Sequence, residues 1–228
     1  QELQPVLFPL VNYSSNPDFW DSAIKDSSWW QSYYDRYYRF ILNYADLAAL
    51  MDVEALIIGD PSVIQQMETF PDSEVRWLQL ISEIRTRYTG KIIAAVSIPS
   101  NRDLPGWVSE VDQVYVLFSP DLSNSTDLIE TFGAQMDSQV FPLVGNFGKP
   151  IIIGINNPSK TNSLKGCIDV KGPCLSYQNG DYSTNMMEQA QILNAAIVNS
   201  FSRPWVSGFI SREYYPYIKV LDNGPSIH

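Results

Sequence analysis

Histidine and cysteine are scarce in this 228-residue sequence. The single histidine is the last residue, His228, and the two cysteines are Cys167 and Cys174. A serine or cysteine nucleophile needs a histidine base beside it, so neither a Ser-His-Asp triad nor a Cys-His pair is expected. A zinc site draws its ligands from the same two residue types, so no metal or cofactor is predicted.

Basic residues are also few. Fifteen lysines and arginines stand against 25 aspartates and glutamates, which gives a net charge of −10. Binding to nucleic acid or to an anionic membrane requires clustered positive charge, so neither partner is expected. The sequence has no apolar run of about 20 residues, the length that a transmembrane helix needs. It has no signal peptide, but it begins with Gln1 and is interpreted as a processed or trimmed product, in which absent targeting signals mean little.

Nucleotide-binding fingerprints are missing. No G-x-G-x-x-G motif follows the first predicted strand and no P-loop sequence occurs, which argues against a Rossmann enzyme. Aromatic residues, in contrast, are abundant, with 13 tyrosines and six tryptophans against a charged fraction of 18%. A weakly charged, aromatic-rich surface suits contact with carbohydrate, although rings buried in the core would produce the same composition.

Short apolar runs alternate with segments of helical periodicity along the chain. Continuous apolar runs predict strands covered on both faces, at residues 5–11, 55–59, 91–96, 114–118, 151–155 and 205–210. Apolar residues at helical spacing predict helices, at residues 27–51, 72–88, 126–141 and 184–200. The apolar side of the second predicted helix consists of Val75, Leu78, Leu80, Ile81 and Ile84.

This alternation predicts an α/β protein with a parallel sheet and helical crossovers. Two architectures fit the pattern, an open doubly wound sheet and a closed (β/α)8 barrel. The longest irregular stretch is the loop at residues 156–181. Long loops in compact domains are often functional, so this loop is a candidate functional segment.

Four segments of the sequence carry a family resemblance. They run from Trp29-Trp30 to Gly59, from Trp77 to Val96, from Gly148-Lys149-Pro150 into the strand that follows, and from Gln189 through Trp205 to Asp222. In this order they resemble the later part of a clan-A glycoside hydrolase barrel, most like the family 113 mannanases and their uncharacterised bacterial relatives.

The resemblance implies a parallel (β/α) barrel of the TIM type. The six predicted strands would be barrel strands three to eight. Residues 1–228 would form a single barrel domain whose first two βα units precede Gln1, which leaves room for partner domains upstream of Gln1. A genuine six-stranded open sheet is the alternative.

The resemblance also implies two catalytic carboxylates, which follow strands four and seven. One protonates the leaving oxygen and the other attacks the anomeric carbon. Where the family has Gly-Thr-Glu after strand four, this chain has Gly59-Asp60-Pro61. Where the family has Thr-Glu after strand seven, this chain has Gly154-Ile155. Because neither glutamate is matched, we expect a pseudoenzyme without ordinary retaining glycosidase activity.

Other residues are candidate ligand contacts. Asn156 and Asn157 can bind sugar hydroxyls but cannot act as anionic nucleophiles. Asn12 ends the first predicted strand, where a turn or capping role is equally expected, and Trp20 is a candidate for stacking on a sugar ring. Arg212 and Glu213 follow the last strand at the expected barrel mouth and are candidates for sugar contact, and the alternative is that they form a solvated surface pair. The candidate ligand contacts are Asn12, Trp20, Asn156, Asn157, Arg212 and Glu213.

Three classes of function fit these observations. The first is an extracellular, non-catalytic barrel that binds carbohydrate or serves as a scaffold, and the missing acids favour it. The second is an active glycosidase that cleaves a β-linked polysaccharide with displaced acids, namely Asp60 and Glu213. The third is a structural subunit of a cell-surface assembly. An open aromatic-lined cleft would favour sugar binding, and a filled or covered cleft would favour the structural subunit.

The two cysteines indicate the cellular compartment in which the protein is expected to work. Six residues separate Cys167 from Cys174 within a loop that contains Gly and Pro, which predicts a local disulfide and an oxidising, extracellular or cell-surface location. Two free thiols are the alternative. Asn12-Tyr-Ser14 and Asn124-Ser-Thr126 match the N-glycosylation pattern.

Overall fold

A computed structural model of the chain describes residues 5–11, 22–61, 63–98, 104–157, 161–166 and 185–211. The chain divides into two compact units by its internal contacts. The first unit comprises residues 1–99 and 103–115, and the second comprises residues 100–102 and 116–228. Strands and helices alternate within both units, as the sequence predicted.

The first unit begins with a very short strand. Its elements are β1 (Val6–Leu7), α1 (Ser27–Leu50), β2 (Ala55–Ile58), α2 (Ile64–Met67), α3 (Ser73–Arg87), β3 (Lys91–Ser97), a 3-10 turn (Gly106–Glu110) and the first residues of β4 (Gln113–Leu117). The first strand was predicted over residues 5–11, but Pro5 and Pro9 lack the N–H that a longer ladder needs. The start of α1 is capped by Asp26, whose carboxylate accepts the Trp29 N–H at 2.8 Å.

The second unit contains a longer helical segment than the sequence predicted. Its elements are the end of β4, α4 (Leu128–Gln135), a π-helical turn (Met136–Val140), α5 (Phe141–Phe147), β5 (Ile151–Ile155), a 3-10 turn (Ser163–Lys165), α6 (Met186–Phe201) and β6 (Val206–Ser211). Helical structure continues past residue 141 because Pro142 lies in the first turn of α5, where its missing N–H is not needed. Gly148, with φ of 62°, ends α5 in the left-handed conformation.

The described strands follow one another in sequence order across the sheet, β1-β2-β3-β4-β5-β6. The pairs β1–β2, β2–β3 and β5–β6 are all parallel. A doubly wound sheet would reverse its strand order, and no reversal occurs among these strands. Because right-handed crossovers in sequential order place every helix on the same face, this winding is the one that builds a (β/α) barrel. The predicted α/β class with a parallel sheet is confirmed.

The core of the first unit is rich in aromatic rings. Trp77 of α3 is fully buried and stacks on Trp107, with ring centroids 4.4 Å apart. The prediction that Val75 and Leu78 face the core is wrong, since both side chains are exposed. The helix is turned so that Trp77 fills the interior instead, because one indole buries more apolar surface than either aliphatic side chain.

The core of the second unit surrounds β5, all of whose residues are buried. Phe118, just after β4, meets Phe132 of α4 edge to face at a centroid distance of 5.4 Å. Helices α4 and α6 are joined by Asn199, whose side-chain amide donates to the Ile129 carbonyl at 2.8 Å. These contacts pack α4 against the end of β4 and against α6.

Candidate functional site

The end of β2 carries the carboxylate of Asp60 in the first unit. Gly59 precedes it with φ of 91°, and a Cβ at this position would lie 2.8 Å from the Ala95 carbonyl oxygen of β3. Only glycine therefore allows the chain to turn here. Asp60 is buried, and its carbonyl accepts the Val63 and Ile64 N–H groups at 3.1 and 2.9 Å. The turn thus holds Asp60 at the C-terminal end of the strand, where barrel enzymes place catalytic residues.

A buried tyrosine supports this turn. The Gly59 N–H donates to the Tyr37 hydroxyl oxygen at 2.6 Å. Burial raises the pKa of Tyr37 well above its usual range, and the carboxylate charge of Asp60 adds to that rise. Tyr37 is consequently a neutral phenol at any physiological pH, and it is close enough to Asp60 for the carboxylate charge to act on it.

A second acidic side chain, Glu68, follows β2 in the same unit and was not singled out from the sequence. The Trp107 indole N–H donates to its carboxylate at 3.1 Å. Burial raises the pKa of Glu68, and the hydrogen bond from Trp107 partly offsets that rise. A carboxyl group packed against indole rings keeps its proton to higher pH than an exposed one. The only sequence signal was its place, eight residues after Asp60 in the same connection.

The ends of β4 and β5 are joined in the second unit by Ser119. Its hydroxyl donates to the Asn156 carbonyl at 3.2 Å and accepts the Asn156 N–H at 3.1 Å. The Phe118 N–H donates to the Gly154 carbonyl at 2.7 Å. These bonds continue the ladder beyond the two strands, so these backbone groups at the end of the sheet are already hydrogen-bonded within the protein.

Asn157 forms a clamp with the first turns of α6. Its side-chain amide donates to the Gln189 carbonyl, and the Gln189 side-chain amide donates to the Asn157 carbonyl, both at 2.8 Å. Both residues are buried. Asn157 stays a predicted ligand contact: its N–H2 group ties β5 to α6, and its side-chain oxygen has no hydrogen-bond partner.

Asn156 differs from its neighbour. The residue is 3% exposed, and neither its side-chain oxygen nor its side-chain nitrogen has a hydrogen-bond partner. A buried amide without partners is unfavourable by roughly 1–3 kcal/mol. The side chain therefore offers one acceptor and two donor hydrogens to any hydroxyl or water that reaches it.

No acid lies at the end of β5. Gly154 and Ile155 are both buried, Ile155 completely, and the sequence has no aspartate or glutamate between Asp137 and Asp169. The described strand ends thus carry a carboxylate after β2 and amides after β5. Six other predicted site residues lie outside the described residues: Asn12, Trp20, Cys167, Cys174, Arg212 and Glu213.

One cavity of the first unit lies away from the end of β2. It measures about 830 Å³ and lies in the first unit where β2 and β3 begin, lined in part by Glu54, Arg85, Lys91 and Asp112. Its charges are mutually paired, Arg85 with Asp112 and Lys91 with Glu54, each at 2.7 Å. The N-terminal ends of barrel strands serve stability rather than chemistry, so this cavity is not a candidate site.

In the described parts of the chain, no group of three or more His, Cys, Asp or Glu side chains is arranged to hold a metal ion. None of the described helices is long and apolar enough to cross a membrane.

Comparison with known proteins identifies a family that this chain matches. Residues 2–220 match the family model of Glycoside Hydrolase Family 113. A search of curated proteins found no match.

Solved structures of similar fold include a GH113 β-mannanase from Alicyclobacillus acidocaldarius in complex with ManMIm, at 19% identity and a TM-score of 0.60. That match covers 88% of this chain and 57% of the mannanase. A GH113 β-1,4-mannanase is 19% identical with a TM-score of 0.62, covering 86% of this chain and 58% of that protein. The chain therefore spans less than two thirds of these neighbours, and the likeness supports the predicted partial (β/α) barrel. That two βα units precede Gln1 stays a prediction.

Proposed function

Because this chain belongs to glycoside hydrolase family 113, we propose that it binds a β-linked polysaccharide without hydrolysing it. The family supports a carbohydrate ligand. The chemistry of the strand ends supports the absence of hydrolysis.

The observation that carries the proposal is the end of β5. A retaining glycosidase needs two carboxyl groups about 5 to 5.5 Å apart, one of them as nucleophile. At β5 the chain offers Gly154, a completely buried Ile155 and two asparagines. An amide carries no negative charge, so it cannot attack an anomeric carbon. Asp60 supplies a carboxylate after β2, but the retaining mechanism also needs a carboxylate at the end of β5.

The ligand to test first is β-1,4-mannan, because the similar structures are those of β-mannanases. Asn156 supports a sugar-binding role, since its buried amide lacks partners on both polar atoms. Sugar hydroxyls both donate and accept, so two of them would satisfy it. The amide is shielded from solvent, and a ligand therefore reaches it only by displacing the atoms that close over it.

The test combines binding and hydrolysis. Calorimetric titration with mannan, glucan and xylan oligosaccharides is expected to show binding, and a reducing-end assay is expected to show no turnover. The Asp60→Asn variant serves as the control. Turnover that this substitution abolishes would overturn the non-catalytic function in favour of the active glycosidase. Absence of binding to all three sugars would instead favour the scaffold role.

Two adjacent asparagines provide a matched pair of variants. We expect Asn156→Ala to weaken oligosaccharide binding about tenfold, the effect of roughly 1.4 kcal/mol of lost interaction. Asn157→Ala should weaken binding less, because its N–H2 group is engaged with Gln189 and only its side-chain oxygen lacks a partner. Equal affinities for both variants and the wild type would remove Asn156 from the proposed site.

An extracellular or cell-surface location completes the proposal, and the predicted Cys167–Cys174 disulfide supports it from the sequence alone. Peptide mapping of the unreduced protein should recover the two cysteines in one cross-linked peptide. Quantitative labelling of both thiols in a native, unreduced sample would contradict the pairing and the compartment that it implies.

A further inference from the structure

Helix α6 of the second unit presents an apolar face to solvent. Phe201 is 81% exposed and Met187 is 69% exposed, and Ile197 and Val198 are each more than two fifths exposed. Ala190 and Asn194 are exposed between them. At about 3.6 residues per turn, all these positions fall on one side of the helix, centred on Asn194. We call this face the α6 stripe: Met187, Ala190, Asn194, Ile197, Val198 and Phe201.

The stripe is also free of charge, although the chain carries a net charge of −10. The one charged residue of α6 is Glu188, which lies in its first turn outside the stripe and accepts a hydrogen bond from the Asn185 side chain at 2.7 Å. Two copies of this acidic chain would repel one another over most of their surfaces. At the α6 stripe they can approach without bringing like charges together.

The order of residues along the stripe is self-complementary. Met187 and Phe201 each lie seven residues from Asn194, and Ala190 and Val198 each lie four residues from it. A twofold axis through Asn194 would therefore pair two antiparallel α6 helices. The flexible thioether of Met187 would meet the ring of Phe201, a favourable combination, and the small Ala190 would meet the branched Val198.

We propose that the α6 stripe is the interface of a symmetric homodimer, with a second copy of this chain as its occupant. Such an isologous contact uses the same patch on both subunits. At the axis, Asn194 faces its own copy, and an amide that both donates and accepts can form reciprocal hydrogen bonds there. The stripe is thus apolar and matched to itself except at Ile197, which would face the exposed Gln191 of the other copy.

A depression beside the stripe gives the contact a further feature. It measures about 90 Å³ and is lined by Ser200, Phe201, Val206, Ser207, Gly208 and Phe209. Under the proposed symmetry, Met187 of the second copy lies next to it. An unbranched methionine adapts readily to a small, irregular recess.

The size of the stripe sets the expected strength. Fourteen residue steps at 1.5 Å span about 21 Å of helix. The largest apolar patch on an ordinary monomer covers about 300–600 Å², and a standard interface buries about 800 Å² per partner. A stripe of this class supports a weak dimer whose population rises with concentration.

Sedimentation velocity of the 228-residue protein over a range of concentrations tests this proposal. We expect the wild type to shift from monomer to dimer, and Phe201→Glu to weaken the association at least about tenfold. Leu50→Glu is the matched control, because Leu50 is 83% exposed at the end of α1 in the first unit. It should leave the dimer intact, and circular dichroism should show both variants folded. A wild type that stays monomeric throughout, or a dimer indifferent to Phe201→Glu, overturns the proposal.

The position of the axis has its own test. Asn194→Asp and Asn194→Lys each place two like charges opposite one another at the twofold, so each variant alone should be monomeric. Mixed together, they should form a heterodimer held by opposite charges. Dimers of either variant alone, or the absence of a heterodimer in the mixture, would refute the antiparallel pairing through Asn194.

Discussion

The end of β2 in the first unit and the end of β5 in the second unit use polar residues in different ways. After β2, Gly59 turns the chain and a carboxylate follows at Asp60, beside the buried hydroxyl of Tyr37. After β5, the residues are amides, and Asn157 is used to bind α6. The end of β2 thus carries an acid, whereas the end of β5 carries amides, one of which has a structural role.

The hydrogen bonds at the end of β5 show how this strand end is held. The Ser119 and Gln189 contacts stabilise the end of β5 through backbone groups, which every residue possesses. Such bonds hold the strand end whether or not a carboxylate is present. The end of β5 is therefore held by contacts that do not require an acid at this position.

The largest expected effect is at Gly59. Gly59→Ala forces a left-handed φ on a residue with a Cβ and pushes that Cβ against the Ala95 carbonyl, so we expect a loss of about 3 kcal/mol in unfolding free energy. Urea denaturation monitored by tryptophan fluorescence measures it. Gly145→Ala in α5 is the control, because no heavy atom lies within 4 Å of its Cβ position, and a gain of about 0.5–1 kcal/mol is expected. Similar effects at both glycines would contradict this account of the β2 turn.

The next effect separates the two asparagines after β5. Asn157→Ala removes a buried donor that ties the strand to α6, and we expect it to lower the unfolding free energy by about 1–2 kcal/mol. Asn156→Ala removes a buried amide that has no partner, so its loss should be much smaller. Chemical denaturation of both variants provides the measurement. Equal losses would mean that Asn156 also has a structural role.

The smallest effect concerns Glu68 and pH. Burial raises the pKa of the folded carboxyl above its unfolded value. The folded state therefore binds the Glu68 proton more tightly than the unfolded chain does. The resulting contribution to the free energy of unfolding is fully present at low pH and is lost as the pH rises through the folded pKa. Glu68→Gln keeps an oxygen acceptor for Trp107 but stays neutral. It should be more stable than the wild type at neutral pH, by at most about 1 kcal/mol, and similar to it in acid.

Thermal unfolding of both proteins across the carboxyl titration range checks this prediction. An advantage of Glu68→Gln that grows as the pH falls would reverse the expected sign. Such a result would mean that the hydrogen bond from Trp107 outweighs burial in setting the pKa of Glu68.

Much of the fold could be predicted because local signals agreed with one another. The apolar run at residues 151–155 predicted β5 with the same bounds as the structure, and the run at residues 91–96 predicted β3 to within one residue. Predictions failed where proline or packing intervened, as in the shortened β1 and at Val75 and Leu78 of α3. Periodicity alone does not distinguish which of two adjacent arcs of a helix faces the interior.

The candidate site was less predictable. Asp60 and the acid-free end of β5 followed directly from residue identity, since a missing carboxylate is visible in the sequence. The partly buried Glu68 did not, because its environment depends on Trp107, 39 residues away along the chain. The different uses of Asn156 and Asn157 likewise depend on which of them meets Gln189.

By itself, the sequence determined the alternation of strands and helices, the likeness to a glycoside hydrolase barrel and the lack of an acid after β5. These features depend on residue type and spacing, which act locally. Only the tertiary structure decided that Asn157 clamps α6, that Tyr37 supports the β2 turn and that α6 turns an uncharged apolar arc to solvent. Those outcomes depend on contacts between residues far apart in the chain, and such contacts form only when the whole unit packs.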